Sequence, residues 1–468
     1  MKSTLRQGLS LEVEISGVAA DGSGVARIPA EPGWELWVVG GAPGDRLRVR
    51  VDHVSHQAQR AFARIVEASE RGATFRDPPC RHAIQRKPGH CGGCSLIHLD
   101  EAVQRSSKLA ATLDALKPFA DERLVLEPSL RSWRYRNRAS YTLARSRGGR
   151  VRLGSFSPRS HRFARMDECH LVREPIRRGA VDLSEMLTRG SWPVGAELAG
   201  LSHVTLRAST RGELLVEWAA AAGAEIEWSA LSQSTMSCSG VVGVSRTETN
   251  RGSNAVRGAE SHHLAGEGTV VERVGELDLA LSAASFSQLN SDVGAAMYSR
   301  AAEWAVELCD GAGPVIWDLY CGVGGLGLTV ASELADVGAT DGAAEGSAPS
   351  VFGAEQSRAS VGLAQTNADR ASVAAQYDVC DLQVDRPRSW PSPDLILLNP
   401  PRKGLASSLV AELIERRVPL IYMSCNAGSL ARDLAALLAG GYAMRHLAAF
   451  DMLPQTSHVE LLVALAPL

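Results

Sequence analysis

Val315-Ile316-Trp317-Asp318-Leu319-Tyr320-Cys321-Gly322-Val323-Gly324-Gly325-Leu326-Gly327 decides the fold of this chain. Five largely apolar residues, too few for a helix, run into a glycine-rich turn, and helical periodicity follows it; a buried strand that bends tightly into a helix reads this way. Working outward, Ser350–Ala354, Asp394–Leu398, Pro419–Ser424 and Val459–Leu465 repeat the pattern of short apolar runs separated by helical stretches. Strands of this kind belong in a sheet covered on both faces, so the region from about Gly275 onward is expected to be an α/β, doubly wound, mostly parallel sheet. Asp336–Pro349, rich in Gly and Ala, is expected to be a lengthened loop between the first two strands.

Open α/β sheets place ligands at the carboxyl ends of their strands. Gly322 and Gly324 allow the backbone to approach a ligand there, and such a turn by itself also suits a dinucleotide. Glu355, at the end of the second strand, can accept hydrogen bonds from both hydroxyls of a ribose. No Lys-Ser/Thr pair follows the turn to grip phosphates, so S-adenosylmethionine, with a ribose and no phosphate, fits better than a nucleoside triphosphate. The third strand ends in Asn399-Pro400-Pro401-Arg402-Lys403-Gly404, and the fourth delivers Ser424-Cys425-Asn426 to the same edge.

A thiol at that edge has a specific use. Carbon 5 of a uracil is a poor nucleophile until a thiolate adds to carbon 6 and turns the ring into an enolate. After methylation a base must remove the carbon 5 proton so that the thiolate can leave. Cys425 is the candidate nucleophile and Glu460 the candidate base, with His458 as an alternative base.

Upstream, the first 68 or so residues alternate short runs, Leu11–Ile15, Gly24–Ile28, Leu36–Val39, Asp45–Val51 and Ala61–Val66, with Gly and Pro turns, which suits a small closed β-barrel. A helix is expected over 101–116 and strands over 139–143 and 151–154. Residues 219–268 drift to Ala, Ser, Gly and Glu and are expected to be largely a loosely specified insertion. The net charge of −3 does not suggest a nucleic-acid partner, yet Arg131 to Arg165 holds eleven arginines and no Asp or Glu, interleaved with Trp133, Tyr135, Tyr141, Phe156 and Phe163. Cations and flat rings mixed in this way suit phosphate contact and base stacking, so RNA is the expected partner. The chain carries no stretch of signal-peptide or membrane-spanning character, which implies a cytoplasmic protein without membrane attachment.

Taken together, Ser285-Phe286-Ser287-Gln288-Leu289-Asn290, Asp318-Leu319-Tyr320-Cys321-Gly322, the Asn399-to-Gly404 turn, Ser424-Cys425-Asn426 and the Asp451-to-Glu460 run resemble the RNA (uracil-5-)-methyltransferase family, bacterial enzymes that make 5-methyluridine in transfer and ribosomal RNA. The resemblance implies that Gln288, Tyr320, Glu355 and Asn399 contact S-adenosylmethionine, that Cys425 is the nucleophile and that Glu460 accepts the proton. It further implies three domains: 1–68, an OB-like RNA-binding barrel of the TRAM type; 69–284, an α+β central RNA-binding domain; and 285–468, a Rossmann-like class I methyltransferase domain, in a chain expected to be a monomer.

Nine cysteines at irregular spacing argue against a disulfide framework. Cys80, Cys91, Cys94 and Cys169 could together bind zinc or an iron–sulfur cluster, and spacing does not separate the two. Several members of the family carry a four-iron four-sulfur cluster at a similar set, which makes that cluster the expectation; the gap between Cys80 and Cys91 is longer than usual there, and His82 or His90 could compete for the Cys80 position. Rivals to uridine methylation are a methyltransferase acting on cytosine carbon 5 or on an exocyclic amine, and an iron–sulfur RNA-binding protein that has lost catalysis.

Overall fold

The computed structural model describes all residues except 1–3, 29–30, 88, 159, 190–199, 251–255, 310–312, 341–347 and 388. The chain divides into two compact units: residues 1–114 with 154–170 and 453–458 form one, and residues 115–153 with 171–452 and 459–468 form the other.

The first unit is built on a six-stranded sheet, with Ser10–Glu14 next to Arg46–Ser55, then Arg60–Glu70, Glu35–Val39, Gly24–Arg27 and Gly17–Val18. Four of the pairings are antiparallel, while Glu35–Val39 runs parallel to Arg60–Glu70. Alternation along these strands sends Leu36, Val38, Leu47, Val49, Ala61 and Ala63 into one core, as the period of two requires. A helix, Glu101–Ala115, follows. It holds the distant 453–457 strip: the Gln104 and Gln455 amides bond each other at 3.0 Å, Lys108 Nζ donates to the Leu453 carbonyl at 3.0 Å, and Ser457 N donates to Ser95 Oγ at 3.1 Å.

The second unit contains two large sheets. One is the expected α/β sheet, in the order Ala374–Val379, Ser350–Glu355, Val315–Leu319, Leu395–Leu398, Leu420–Ser424, Glu460–Pro467, Tyr442–Phe450, with Leu126–Glu127 at the edge. Its first five strands run parallel, and Glu460–Pro467 enters antiparallel beside Leu420–Ser424. Leu395–Leu398, Leu420–Met423 and Leu461–Leu465 are completely buried, which explains why they read as continuous apolar runs. The strands at 374–379 and 442–450 were not anticipated. The first is an edge strand with one buried residue, and the second interrupts its apolar residues with Arg445 and His446.

The other sheet includes, in order, Arg138–Arg145, Leu201–Ala208, Leu214–Ala221, Val241–Thr249 and Ser261–Gly266. Here the reading of 219–268 as a loose insertion is corrected: it supplies the end of one strand, two further strands and the helix Trp228–Met236. That helix lies in the connection between the parallel pair Leu214–Ala221 and Val241–Thr249, and the buried Trp218 indole donates to Thr235 Oγ1 at 3.1 Å. The expected loop at 336–349 is also corrected in part, because the helix Gly325–Thr340 extends into it; residues 341–347 lie outside the described residues.

Both sheets meet on the 285–291 segment. Arg173 pairs with the fully buried Glu272 at 2.7 Å, and both bond to Ser291 Oγ. Removing one partner of such a pair leaves an uncompensated charge. Glu272→Ala should therefore cost about 3 kcal/mol of stability, read as a lower midpoint in chemical denaturation of the second unit.

Candidate active site

Strand Val315–Leu319 lies between Ser350–Glu355 and Leu395–Leu398, so the strand order reverses here and the loops on either side part at the carboxyl edge. Tyr320 and Asn399 leave the sheet at this point, joined by a hydrogen bond from Asn399 N to the Leu319 carbonyl at 3.2 Å. Tyr320 holds φ at +64°, a conformation that costs a non-glycine residue roughly 1–3 kcal/mol, and its hydroxyl accepts from Gln383 at 3.0 Å.

A cleft opens at this edge, lined by Gln288, Tyr320, Gly322 and Asn399 from the expected set and by Phe286 and Asp318. Gly324 and Glu355, also expected at the site, are not among the residues that line it. Gly324 adopts φ +86°, and a Cβ there would come within 2.9 Å of the Tyr377 hydroxyl. Glu355 commits one oxygen to the Ser357 amide at 2.9 Å. Gln288 is turned so that its amide lies 3.4 Å from the Met423 sulfur, two residues before Cys425.

Sequence reasoning quoted Asp318 without giving it a role. It is completely buried, accepts from Gly327 N at 3.1 Å through one oxygen, and has no partner at the other. Burial foremost, with the Glu355 charge adding, pushes its carboxyl up to about 7. The buried Tyr377 hydroxyl also lacks a partner. The available signal was an acid interrupting an apolar strand, which is costly unless the group is used. No Lys, Arg or His lines the cleft among the described residues, whereas unsatisfied acceptors do. That chemistry fits a ligand rich in hydroxyl and ammonium donors and disfavours phosphates.

Cys425 stands one residue past Leu420–Ser424, on the amino-terminal side of the helix Ala427–Ala439. Asn426 caps that helix, its side-chain oxygen accepting from Gly428 N at 2.9 Å and Ser429 N at 3.2 Å. Ser424 pairs with Leu461 at the end of the antiparallel ladder, and Cys425, in the bend that follows, lies within electrostatic range of Glu460, the residue before Leu461. Burial, followed by the Glu460 charge, raises the Cys425 thiol, while Arg402 opposes both through its charge and a hydrogen bond to the sulfur. Burial pushes Glu460 up to about 8, and the Arg402 charge pulls it back. Arg402, quoted only as part of a turn, thus acts on both candidate catalytic groups. Its loop is anchored by the buried Asp433, which accepts from Leu405 N at 2.9 Å and from the Tyr422 hydroxyl at 2.8 Å. Tyr298, which lines the cleft, senses both Asp318 and Glu460.

In the first unit, Cys80, Cys91, Cys94 and Cys169 are all partly buried thiols. Cys80 lies within electrostatic range of Cys169 and Cys91, and a backbone hydrogen bond from His82 favours its thiolate, although burial outweighs it. Gly93 N donates to Cys91 Sγ at 3.4 Å. No three His, Cys, Asp or Glu side chains among the described residues are grouped closely enough to hold a metal ion. His82 is turned to Asp167, at 3.2 Å.

The arginine-rich run finds its counter-charges outside the window in which they were absent. Arg131 pairs with Asp292, Arg134 with Glu174 and Arg165 with Asp167, and Arg138 is half-buried and donates to backbone carbonyls. Arg147 and Arg150 are exposed, with no carboxylate partner among the described residues. No described helix is long and apolar enough to cross a membrane.

The sheet order, the glycine-rich turn after its first strand and the polar strand ends around the cleft define a Rossmann-like methyltransferase domain. A family model described as tRNA (uracil-5-)-methyltransferase matches residues 275–467. An uncharacterized RNA methyltransferase of Synechocystis is 30% identical over 98% of this chain and 96% of its own, and one of Parasynechococcus marenigrum is 29% identical over 97% and 95%. The fold is similar to the crystal structure of Pyrococcus abyssi tRNA (uracil-54, C5)-methyltransferase in complex with S-adenosyl-L-homocysteine, with a TM-score of 0.73 and 23% identity over 97% of this chain and 99% of that one. The chain belongs to the tRNA (uracil-5-)-methyltransferase family and is an RNA methyltransferase.

Two glycines separate the demands of the site from those of the fold. Gly324→Ala should abolish cofactor binding in calorimetry, because the new methyl meets Tyr377 in a left-handed turn. Gly362→Ala, in open space within a helix, should instead raise stability by roughly 0.5–1 kcal/mol.

Proposed function

We propose that this enzyme transfers a methyl group to carbon 5 of a uridine in transfer or ribosomal RNA through a covalent bond between Cys425 and carbon 6. The observation that carries the reading is the electrostatic proximity of Cys425 and Glu460, at neighbouring ends of two antiparallel strands, with Arg402 acting on both.

S-adenosylmethionine, when bound, supplies a methyl carbon made electrophilic by its sulfonium. Gln288, Tyr320 and Asn399 would hold it in the cleft beside Gly322 and Gly324, with Glu355 accepting from the ribose hydroxyls and Asp318 from donors elsewhere on the ligand. Cys425, as the thiolate, adds to carbon 6; the carbon–sulfur bond forms as the electron pair of the ring double bond moves through carbon 5 to the carbonyl oxygen. Arg402 lowers the cost of that thiolate in a partly buried place. The enolate returns its electrons to carbon 5, which bonds to the methyl carbon, and the donor's sulfur keeps the pair of the broken bond. Glu460 then takes the carbon 5 proton, the freed pair restores the ring double bond, and Cys425 departs as thiolate. The target base must leave its stack to reach these groups. The exposed Arg147 and Arg150, and the barrel of residues 1–68, are the surfaces proposed to hold the RNA backbone.

Cys425→Ala should remove turnover entirely while S-adenosylmethionine still binds. Glu460→Gln should form the adduct without resolving it, giving an RNA–protein band that survives denaturing electrophoresis. Glu460 works deprotonated and sits near 8, and the Cys425 thiol is raised as well, so the rate should climb with pH through about 8 rather than level off near 5. A rate already flat between pH 6 and 9, or an active Cys425→Ala enzyme, would overturn the mechanism.

We further propose that Cys80, Cys91, Cys94 and Cys169 hold a four-iron four-sulfur cluster, supported by the donor set and the backbone hydrogen bonds to Cys80 and Cys91. Anaerobically purified protein should contain iron and acid-labile sulfide in equal amounts, and Cys91→Ser should lose both; zinc in place of iron would refute the cluster.

A further inference from the structure

The side chains that shape the donor cleft do not all come from the α/β sheet. Arg207, on Leu201–Ala208, is 1% exposed and has no carboxylate within salt-bridge distance among the described residues. Its Nη1 donates to Ser287 Oγ at 2.8 Å, its Nη2 donates to the Ser285 carbonyl, and its Nε has no partner. Directly opposite in the ladder stands Arg138, whose Nη1 donates to the same Ser285 carbonyl at 2.8 Å and to Ala284 O at 3.3 Å. Two like charges face each other in the sheet and share one acceptor, an arrangement that disfavours folding by itself. Their common target is the backbone that leads to Gln288.

The other end of that segment is held as well. Asn137 Nδ2 donates to the Gln288 carbonyl and to Ser291 Oγ, each at 2.9 Å, and Asn290 Nδ2 donates to the Met452 carbonyl at 3.1 Å. Ser287 and Gln288 line the cleft between these two anchors.

We infer that Arg207 is a positioning residue for methyl-donor binding, setting the Ser285–Ser287 backbone so that the Gln288 amide is presented to the donor. The inference rests on the reading of Gln288 as a donor contact. Glutamine at 207 would lack the reach and fork to bond both acceptors, leaving the Ser285 carbonyl to Arg138 alone and Ser287, next to Gln288, without its anchor. Lysine keeps the charge and can reach one of the two acceptors. The cost should fall on the affinity for the donor and not on the chemical step.

The test is isothermal titration of the full-length protein with S-adenosylmethionine, alongside thermal melting and steady-state kinetics. Arg207→Gln should weaken binding roughly tenfold to a hundredfold, the range expected for losing hydrogen bonds to a charged group, and Arg207→Lys by several-fold less. The Michaelis constant for the donor should rise in step while kcat at saturating donor stays within about twofold, a split that general loss of structure does not produce. Wild-type affinity in a folded Arg207→Gln protein overturns the inference. If that variant does not fold, Arg207→Lys decides, and unchanged affinity there overturns it equally. Gln288→Ala separates the two layers: if it binds the donor normally, the reading of Gln288 is at fault, and Arg207 loses the contact through which it was argued to act.

Discussion

The antiparallel entry of Glu460–Pro467 beside Leu420–Ser424 is the constraint on which the proposed catalytic arrangement depends. In a wholly parallel sheet every strand would bring its carboxyl end to the ligand edge, and a residue at the start of a strand would lie at the opposite edge. Reversing one strand brings an amino-terminal end to the working edge, where a carboxylate meets the thiol that closes the neighbouring strand. The pairing needs no special loop. It follows from the burial of Leu461 to Leu465 beside Leu420 to Met423, consecutive apolar residues that suit only central strands covered on both faces.

Once the two groups are fixed together, their electrostatics follow. A carboxylate and a thiolate that share a dry site raise one another's cost of ionisation, and burial adds to both. Arg402 relieves that cost without entering the sheet, from a turn tied down by Asp433. The cleft beside it has the opposite bias, with acceptors and no cations in its lining, which suits a positively charged donor. The two halves of the site thus differ in the sign of charge they favour.

The sequence made the strand ends readable because each functional residue there breaks an apolar run: Cys425 after Ile421-Tyr422-Met423-Ser424, Glu355 after Val351 to Ala354, and Glu460 before Leu461 to Leu465. Asp318 sent the same signal inside its own strand and went unread, since attention fell on the glycines that follow. Arg207 and Asn137 were beyond reach, because the groups they hold lie about 80 and 150 residues further along the chain. The stretch 219–268 was misjudged from composition. Small residues can form strands when a neighbouring sheet and a helix cover them, and Trp218 with Thr235 supplies that cover. Part of the arginine run is taken up in ion pairs, because a window without acids says nothing of acids that fold back from elsewhere, while Arg147 and Arg150 stay exposed.

The strip at 453–458 has a further consequence for how the protein is made. The first unit includes it, with Gln455 clasped to Gln104 across 351 positions of sequence. A ribosome that has emitted residues 1–170 has therefore not yet delivered everything this unit requires, and Gln104 and Lys108 gain their bonds to Gln455 and Leu453 only after those residues emerge. Amino-terminal units commonly settle while translation continues; here completion waits on a segment that the ribosome delivers only after most of the second unit.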